Sequence, residues 1–174
     1  MKKSIIALSL AALSLSASAV YAADGTINFT GSVTTDACTV DTASASQTVA
    51  LGKVSPTSFK AAGDVASPTK FTIKLTTCPA SVSSAAVRFD GTPNTTDSRL
   101  LSLSSGQTAA GLAVAIYESD SKTIIPLHTA STAITLDSKK AINEMSYVAK
   151  YMSTAASVTA GGANASTNFT ISYN

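Results

Sequence analysis

Few residues in this 174-residue chain could carry reactive chemistry: two cysteines, Cys38 and Cys78, one histidine, His128, and ten acidic side chains. Two cysteines and one histidine fall short of a four-ligand zinc site unless carboxylates join them, and no Cys-x-x-Cys spacing serves dithiol redox work. His128 follows Pro126-Leu127 with no second histidine and no local carboxylate in the sequence, so neither a nucleophile nor a general base is assembled around it. The acidic residues are scattered and form no pair suited to glycoside hydrolysis. No catalytic residue, cofactor site or metal site is therefore assigned, and the chain is not read as an enzyme.

The one bond the cysteines favour depends on where the protein goes. Lys2 and Lys3 precede an apolar run of small residues from Ile5 through Ala17, and Ala19-Val20-Tyr21-Ala22-Ala23 suits signal peptidase, with cleavage after Ala22. Residues 1–22 read as a secretory signal, because the apolar core is too short and serine-rich to span a bilayer. Removing 22 of 174 residues leaves a mature chain of 152, one domain by length. The full chain has 12 basic and 10 acidic residues, and the loss of Lys2 and Lys3 leaves ten of each. That balance, with no basic cluster longer than Lys139-Lys140, gives no argument for nucleic acid. In an oxidising compartment Cys38 and Cys78 are most simply a disulfide; the loop of about forty residues that it closes would stabilise the fold by about 4 kcal/mol in the chain-entropy model.

The elements that must position these residues are almost all strand and turn. Phe71, Ile73 and Leu75 alternate with Thr72, Lys74 and Thr76 and deliver the chain to Cys78-Pro79. Val87 and Phe89 run into the Asp90-Gly91 turn signal, followed by a polar loop through Pro93, Asn94 and Asp97. Leu112, Val114 and Ile116 form another alternating face, reversed at Glu118 to Lys122 and returned by Ile124 to Leu127. Tyr147, Ala149 and Tyr151 alternate with Val148, Lys150 and Met152. No window carries a 3.6-residue apolar stripe, although Thr57 to Ala66 has room for a short helical turn. Short strands at this spacing predict an all-β sandwich or barrel.

Both ends of the mature chain carry an amphipathic strand. Gly161 opens the last fourteen residues, in which Phe169, Ile171 and Tyr173 alternate with Thr170, Ser172 and Asn174. An edge strand with one apolar face is either a liability or a docking site. Near the other end, Ile27, Phe29, Gly31 and Val33 share one face of Asp24 to Val33. This segment is either the ordinary first strand of the sandwich or a strand offered to another molecule.

Taken together, these features resemble a type 1 fimbrial major subunit of the chaperone–usher pilin family. The resemblance rests on the signal sequence, Gly-Thr-Ile-Asn-Phe-Thr-Gly-Ser-Val from Gly25 to Val33, Asp36-Ala37-Cys38-Thr39-Val40-Asp41 and Leu51-Gly52-Lys53-Val54. Further along it includes Phe71 to Cys78, Phe89-Asp90-Gly91-Thr92, Tyr151 and the Gly161 to Tyr173 tail. It runs through the whole mature chain, with Thr167 a modest departure where an apolar residue would extend the alternating face.

The resemblance implies an incomplete immunoglobulin-like β-sandwich lacking its last strand, with an N-terminal donor-strand extension. The implied organisation is signal peptide 1–22, donor-strand extension 23–36 and pilin domain 37–174. Ile27, Phe29, Gly31 and Val33 would be the donor residues; Gly161, Phe169, Ile171 and Tyr173 would form the C-terminal strand that pairs with chaperone and neighbouring subunit. The implied partners are a periplasmic pilus chaperone, an outer-membrane usher and neighbouring pilins joined head to tail. The implied function is structural: a fimbrial shaft on the bacterial surface, exported through the periplasm and supporting adhesion. A minor, adaptor or tip pilin with a ligand-binding role is the alternative.

Overall fold

The computed structural model describes residues 25–31 and 36–174. It divides into two units, residues 1–33 and 34–174. The signal sequence expected at 1–22, and Val33, expected to be a donor residue, lie outside the described residues. In the first unit, residues 25–31 form neither helix nor strand, and Ile27 and Phe29 are 79% and 93% exposed.

The second unit is built from two antiparallel sheets. Its strands are β1 (Thr39–Val40), β2 (Val65–Thr76), β3 (Ser84–Phe89), β4 (Leu112–Glu118), β5 (Ile134–Thr135), β6 (Ile142–Ser153) and β7 (Phe169–Tyr173), with one helical turn, α1 (Thr42–Ala45), and a 3-10 turn at Pro56–Ser58. The larger sheet has the order β1-β2-β6-β4 and the smaller one β5-β3-β7. This is the all-β, immunoglobulin-like sandwich expected from the sequence.

Alternation decides which residues enter the core. On β2 and β6, Ile73 faces Met145 and Phe71 faces Tyr147, and on β4 and β6, Ile116 faces Ala149 and Val114 faces Tyr151. From the smaller sheet, Val87 pairs with Ile171 and Phe89 with Phe169. Phe71, Phe89 and Tyr147 join the sheets through ring centroids 5.5–6.1 Å apart, tilted or edge-on, as the ring quadrupoles prefer. At one end Cys38 and Cys78 are bonded, with S–S 2.06 Å, so the disulfide ties the start of β1 to the end of β2. Among the described residues no helix is long and apolar enough to cross a membrane.

Three details differ from the sequence reading. The helical turn expected within Thr57 to Ala66 is a 3-10 turn at Pro56–Ser58, and β2 has already begun at Val65. The return through Ile124 to Leu127 is a single bridge, Tyr117 to Ile124, made by two bonds, Glu118 N to Thr123 O and Ile125 N to Ile116 O. Pro126 has no N–H to continue the ladder. On β6, Val148, Lys150 and Met152 are buried as well as the inward face, because Leu100 and Tyr117 pack with them in a second apolar cluster on the outer side. Lys150 is accommodated there by donating from Nζ to Ser121 O at 2.6 Å and lying 4.1 Å above the Tyr117 ring.

Candidate functional site

The smaller sheet ends on β7, which pairs with β3 and with no other strand among the described residues. Beside it runs a groove of about 1030 Å³ within the second unit. Its floor is core: Ile73, Phe89, Val114, Ile116, Ala149 and Tyr151. Its walls are the segments 44–52 and 163–169.

The first wall leaves the β1 ladder at α1 but stays tied to β2. Asp41 N donates to Lys74 O, and the Asp41 carboxylate caps α1 by accepting from Ala43 N at 3.1 Å. Ser44, buried, accepts from Lys74 N at 3.0 Å and anchors the turn on β2. Beyond it Val49 and Leu51 are half-buried against the core. Ser67 donates to Leu51 O from a bulge in β2, where its φ is 57° and the next residue, Pro68, donates no ladder bond.

The second wall continues the alternation of β7 backwards. Ala163, Ala165, Thr167, Phe169, Ile171 and Tyr173 are all half-buried, and the residues between them are exposed. The inward side chains are small towards Ala163 and large towards Tyr173, and the groove is lined by Ala163 to Phe169. Gly161 sits at the base of this wall. A Cβ there would lie 2.5 Å from Ala109 N and closer still to the Thr108 hydroxyl, so close approach of the two backbones requires glycine. At the other end Tyr173 donates its hydroxyl to Cys38 O at 3.4 Å, and burial raises its pKa.

The structure thus joins the sequence-predicted residues in part. Phe169 lines the groove, Ile171 and Tyr173 pack against the core beyond it, and Gly161 shapes its base. Ile27, Phe29 and Gly31 belong to the other unit. Sequence reasoning missed the 44–52 wall and the alanines of the second wall. The period-2 pattern does extend back to Ala163, but alanine is too weak a signal of burial to be noticed. Thr167, singled out as a departure, is half-buried in the groove wall and donates its hydroxyl to Asn168 O.

Outside the groove, His128 does have a carboxylate near it. Its Nδ1 is 3.3 Å from Asp90 Oδ1, a contact between residues 38 positions apart. Arg88 Nε lies 2.8 Å from the same oxygen, and the Thr170 hydroxyl donates to Asp90 Oδ2 at 3.0 Å. Desolvation raises the Asp90 pKa, but the hydrogen bonds from Arg88, Thr170 and His128 together outweigh it and leave the carboxyl below its usual range. The cluster centres on a half-buried Asp90 and ties the 128 turn to β3 and β7.

One edge of β7 therefore lies open beside a strip of core. Comparison with known proteins identifies the family. Residues 27–174 match the family described as fimbrial protein. Long polar fimbria protein A of Salmonella typhimurium is 39% identical over 99% of this chain and 97% of its own length. The fimbrial subunit type 1 of Salmonella typhimurium is 34% identical over 99% and 100%. Among solved structures, a Burkholderia pseudomallei antigen and type I fimbria protein superimposes with a TM-score of 0.61 at 36% identity, over 86% of this chain and 97% of that one. The chain belongs to the fimbrial protein family: it is a structural subunit of surface fimbriae and not an enzyme.

Proposed function

We propose that this chain is the repeating subunit of a fimbrial shaft and that it polymerises by donating its N-terminal segment, residues 23–36, to the groove of the next copy. The observation that carries this reading is the presence of both halves of the contact in one chain. The second unit has a strand-sized groove floored by core residues, and the first carries Ile27 and Phe29 exposed at 79% and 93%. Large apolar side chains so exposed point to burial against another molecule. A strand lying along Ala163–Phe169 has about 20 Å to run at roughly 3.4 Å per residue, the length of the seven residues Ile27–Val33. A head-to-tail contact of this kind does not close on itself, so a fibre follows.

Before polymerisation the same groove is a hazard, since unpaired edges and open core aggregate. A periplasmic chaperone that lends a strand to β7, and an outer-membrane usher that exchanges it for the next subunit, fit that requirement. Export by residues 1–22 and a role in adhesion complete the reading. The test is Phe29→Asp, scored by electron microscopy of cells that express the subunit with its assembly machinery. Burial of phenylalanine contributes about 1.5–3 kcal/mol, and an unpaired carboxylate in an apolar groove adds several more against docking. The variant is expected to accumulate as folded subunit without fibres. Normal fibre yield would refute strand donation by this segment.

A further inference from the structure

The groove wall at 162–168 is extended although no strand flanks it there, and four hydrogen bonds to the 104–109 loop show how. Gly162 O accepts from Ala109 N at 3.0 Å and Asn164 O accepts from Ser104 N at 2.8 Å. The two N–H groups go to side chains instead: Gly162 N donates to Thr108 Oγ1 at 3.0 Å and Asn164 N to Gln107 Oε1 at 2.9 Å. In a regular ladder, carbonyls of a neighbouring strand would accept these N–H groups. Further on, Asn168 O accepts from Asp90 N at 2.9 Å.

An extended chain turns the backbone groups of alternate residues to opposite sides. With Gly162, Asn164 and Asn168 committed to the protein side, Ala163, Ala165 and Thr167 turn theirs to the groove. The Ala163 carbonyl is taken by the Tyr151 hydroxyl at 3.1 Å. The backbone N–H and C=O of Ala165 and Thr167 have no hydrogen-bond partner among the described residues. Both residues are half-buried in the groove wall, so a docked strand that meets these groups gains affinity.

We propose that Gln107 and Thr108 are positioning residues for strand docking: their side-chain oxygens replace a missing neighbour strand and hold Ala165 and Thr167 ready to form a ladder with an incoming strand. The Tyr151–Ala163 bond marks where that ladder stops. This inference rests on the strand-docking reading above, and it adds residues that never touch the docked strand.

The test uses the full mature chain, with a fluorescent synthetic peptide of residues 25–33 as the probe and stopped-flow measurement of its association and dissociation. Gln107→Leu and Thr108→Val remove the acceptors at similar volume; Gln107→Glu and Thr108→Ser keep them. Losing one net hydrogen bond's worth of order should weaken peptide binding roughly five- to tenfold in each of the first pair. The second pair should bind within about twofold of the parent, the rescue expected when one oxygen acceptor matters. Amide exchange at Ala165 and Thr167 should slow when the parent takes up peptide. Wild-type kinetics in folded Gln107→Leu and Thr108→Val would overturn the inference and leave strand docking intact, as would equal weakening by Gln107→Glu and Gln107→Leu. If both acceptor-free variants failed to fold, the role would be structural and the proposal wrong. A parent chain that does not bind the peptide would refute strand docking itself.

Discussion

Removing Ser172, Tyr173 and Asn174 should abolish the subunit before it can assemble, and the structure sets the size of the effect. Asn174 O accepts from Ser83 N at 2.6 Å, Ser84 N at 3.0 Å and Ser83 Oγ at 2.9 Å, while Asn174 N donates to Ser84 O at 3.1 Å. Tyr173 OH adds its bond to Cys38 O, and its half-buried ring packs on the core. At about 0.5–1.5 kcal/mol net per hydrogen bond, these bonds sum to several kcal/mol. The half-buried tyrosine contributes on the order of 1–2 kcal/mol more. Against a total stability of about 5–15 kcal/mol, that loss leaves little or no folded monomer. Tyr173→Phe is the control, since it removes only the 3.4 Å bond and should cost under about 1 kcal/mol. The assay is periplasmic yield and co-purification with the chaperone, and the truncated chain should be degraded while Tyr173→Phe is recovered. Recovery of the truncated chain at the parental level, bound to chaperone, would refute the reasoning. The order of defects is informative: loss here should precede docking, whereas Phe29→Asp, on the proposed strand donation, should leave a folded subunit that does not polymerise.

Cys38→Ser opens a loop closed across 40 residues and should cost about 4 kcal/mol, measured as reduced periplasmic yield and a lowered Tm; two free thiols in the native protein would refute it. Asp120 accepts from the Thr123 hydroxyl at 2.7 Å and from Thr123 N and Lys122 N, and these bonds lower its pKa to about 2. Because the folded value is depressed, the stability it supplies is complete above the unfolded value near 4 and is lost as pH falls through about 2. Carboxyl NMR should follow that titration together with the 119–123 amides, and a midpoint near 4 in the folded protein would contradict it.

Much of the fold was legible because period-2 alternation is a local property. Phe71-Ile73-Leu75, Leu112-Val114-Ile116, Tyr147-Ala149-Tyr151 and Phe169-Ile171-Tyr173 each name their own inward face without reference to the rest of the chain. Less legible were β1 and β5, two residues each, which pair only because longer strands present an edge to them. The burial of Lys150 depends on Tyr117 and Ser121, 33 and 29 residues away, and the Asp90–His128 contact spans 38; no local pattern announces either.

The site divides along the same line. The sequence by itself determined that the chain has two cysteines suited to one disulfide and two amphipathic segments, Ile27–Val33 and Phe169–Tyr173, since residue type and local spacing settle both. Only the tertiary structure decided that the open edge is the far side of β7. That edge arises because β3 takes one side of β7 while residues 44–51 are bonded to β2, leaving Ile73, Phe89 and Ile116 as a floor. Which edge of a strand goes unpaired is set by where distant segments run, and the residues that hold that edge straight, Gln107 and Thr108, lie more than fifty positions from the backbone they support.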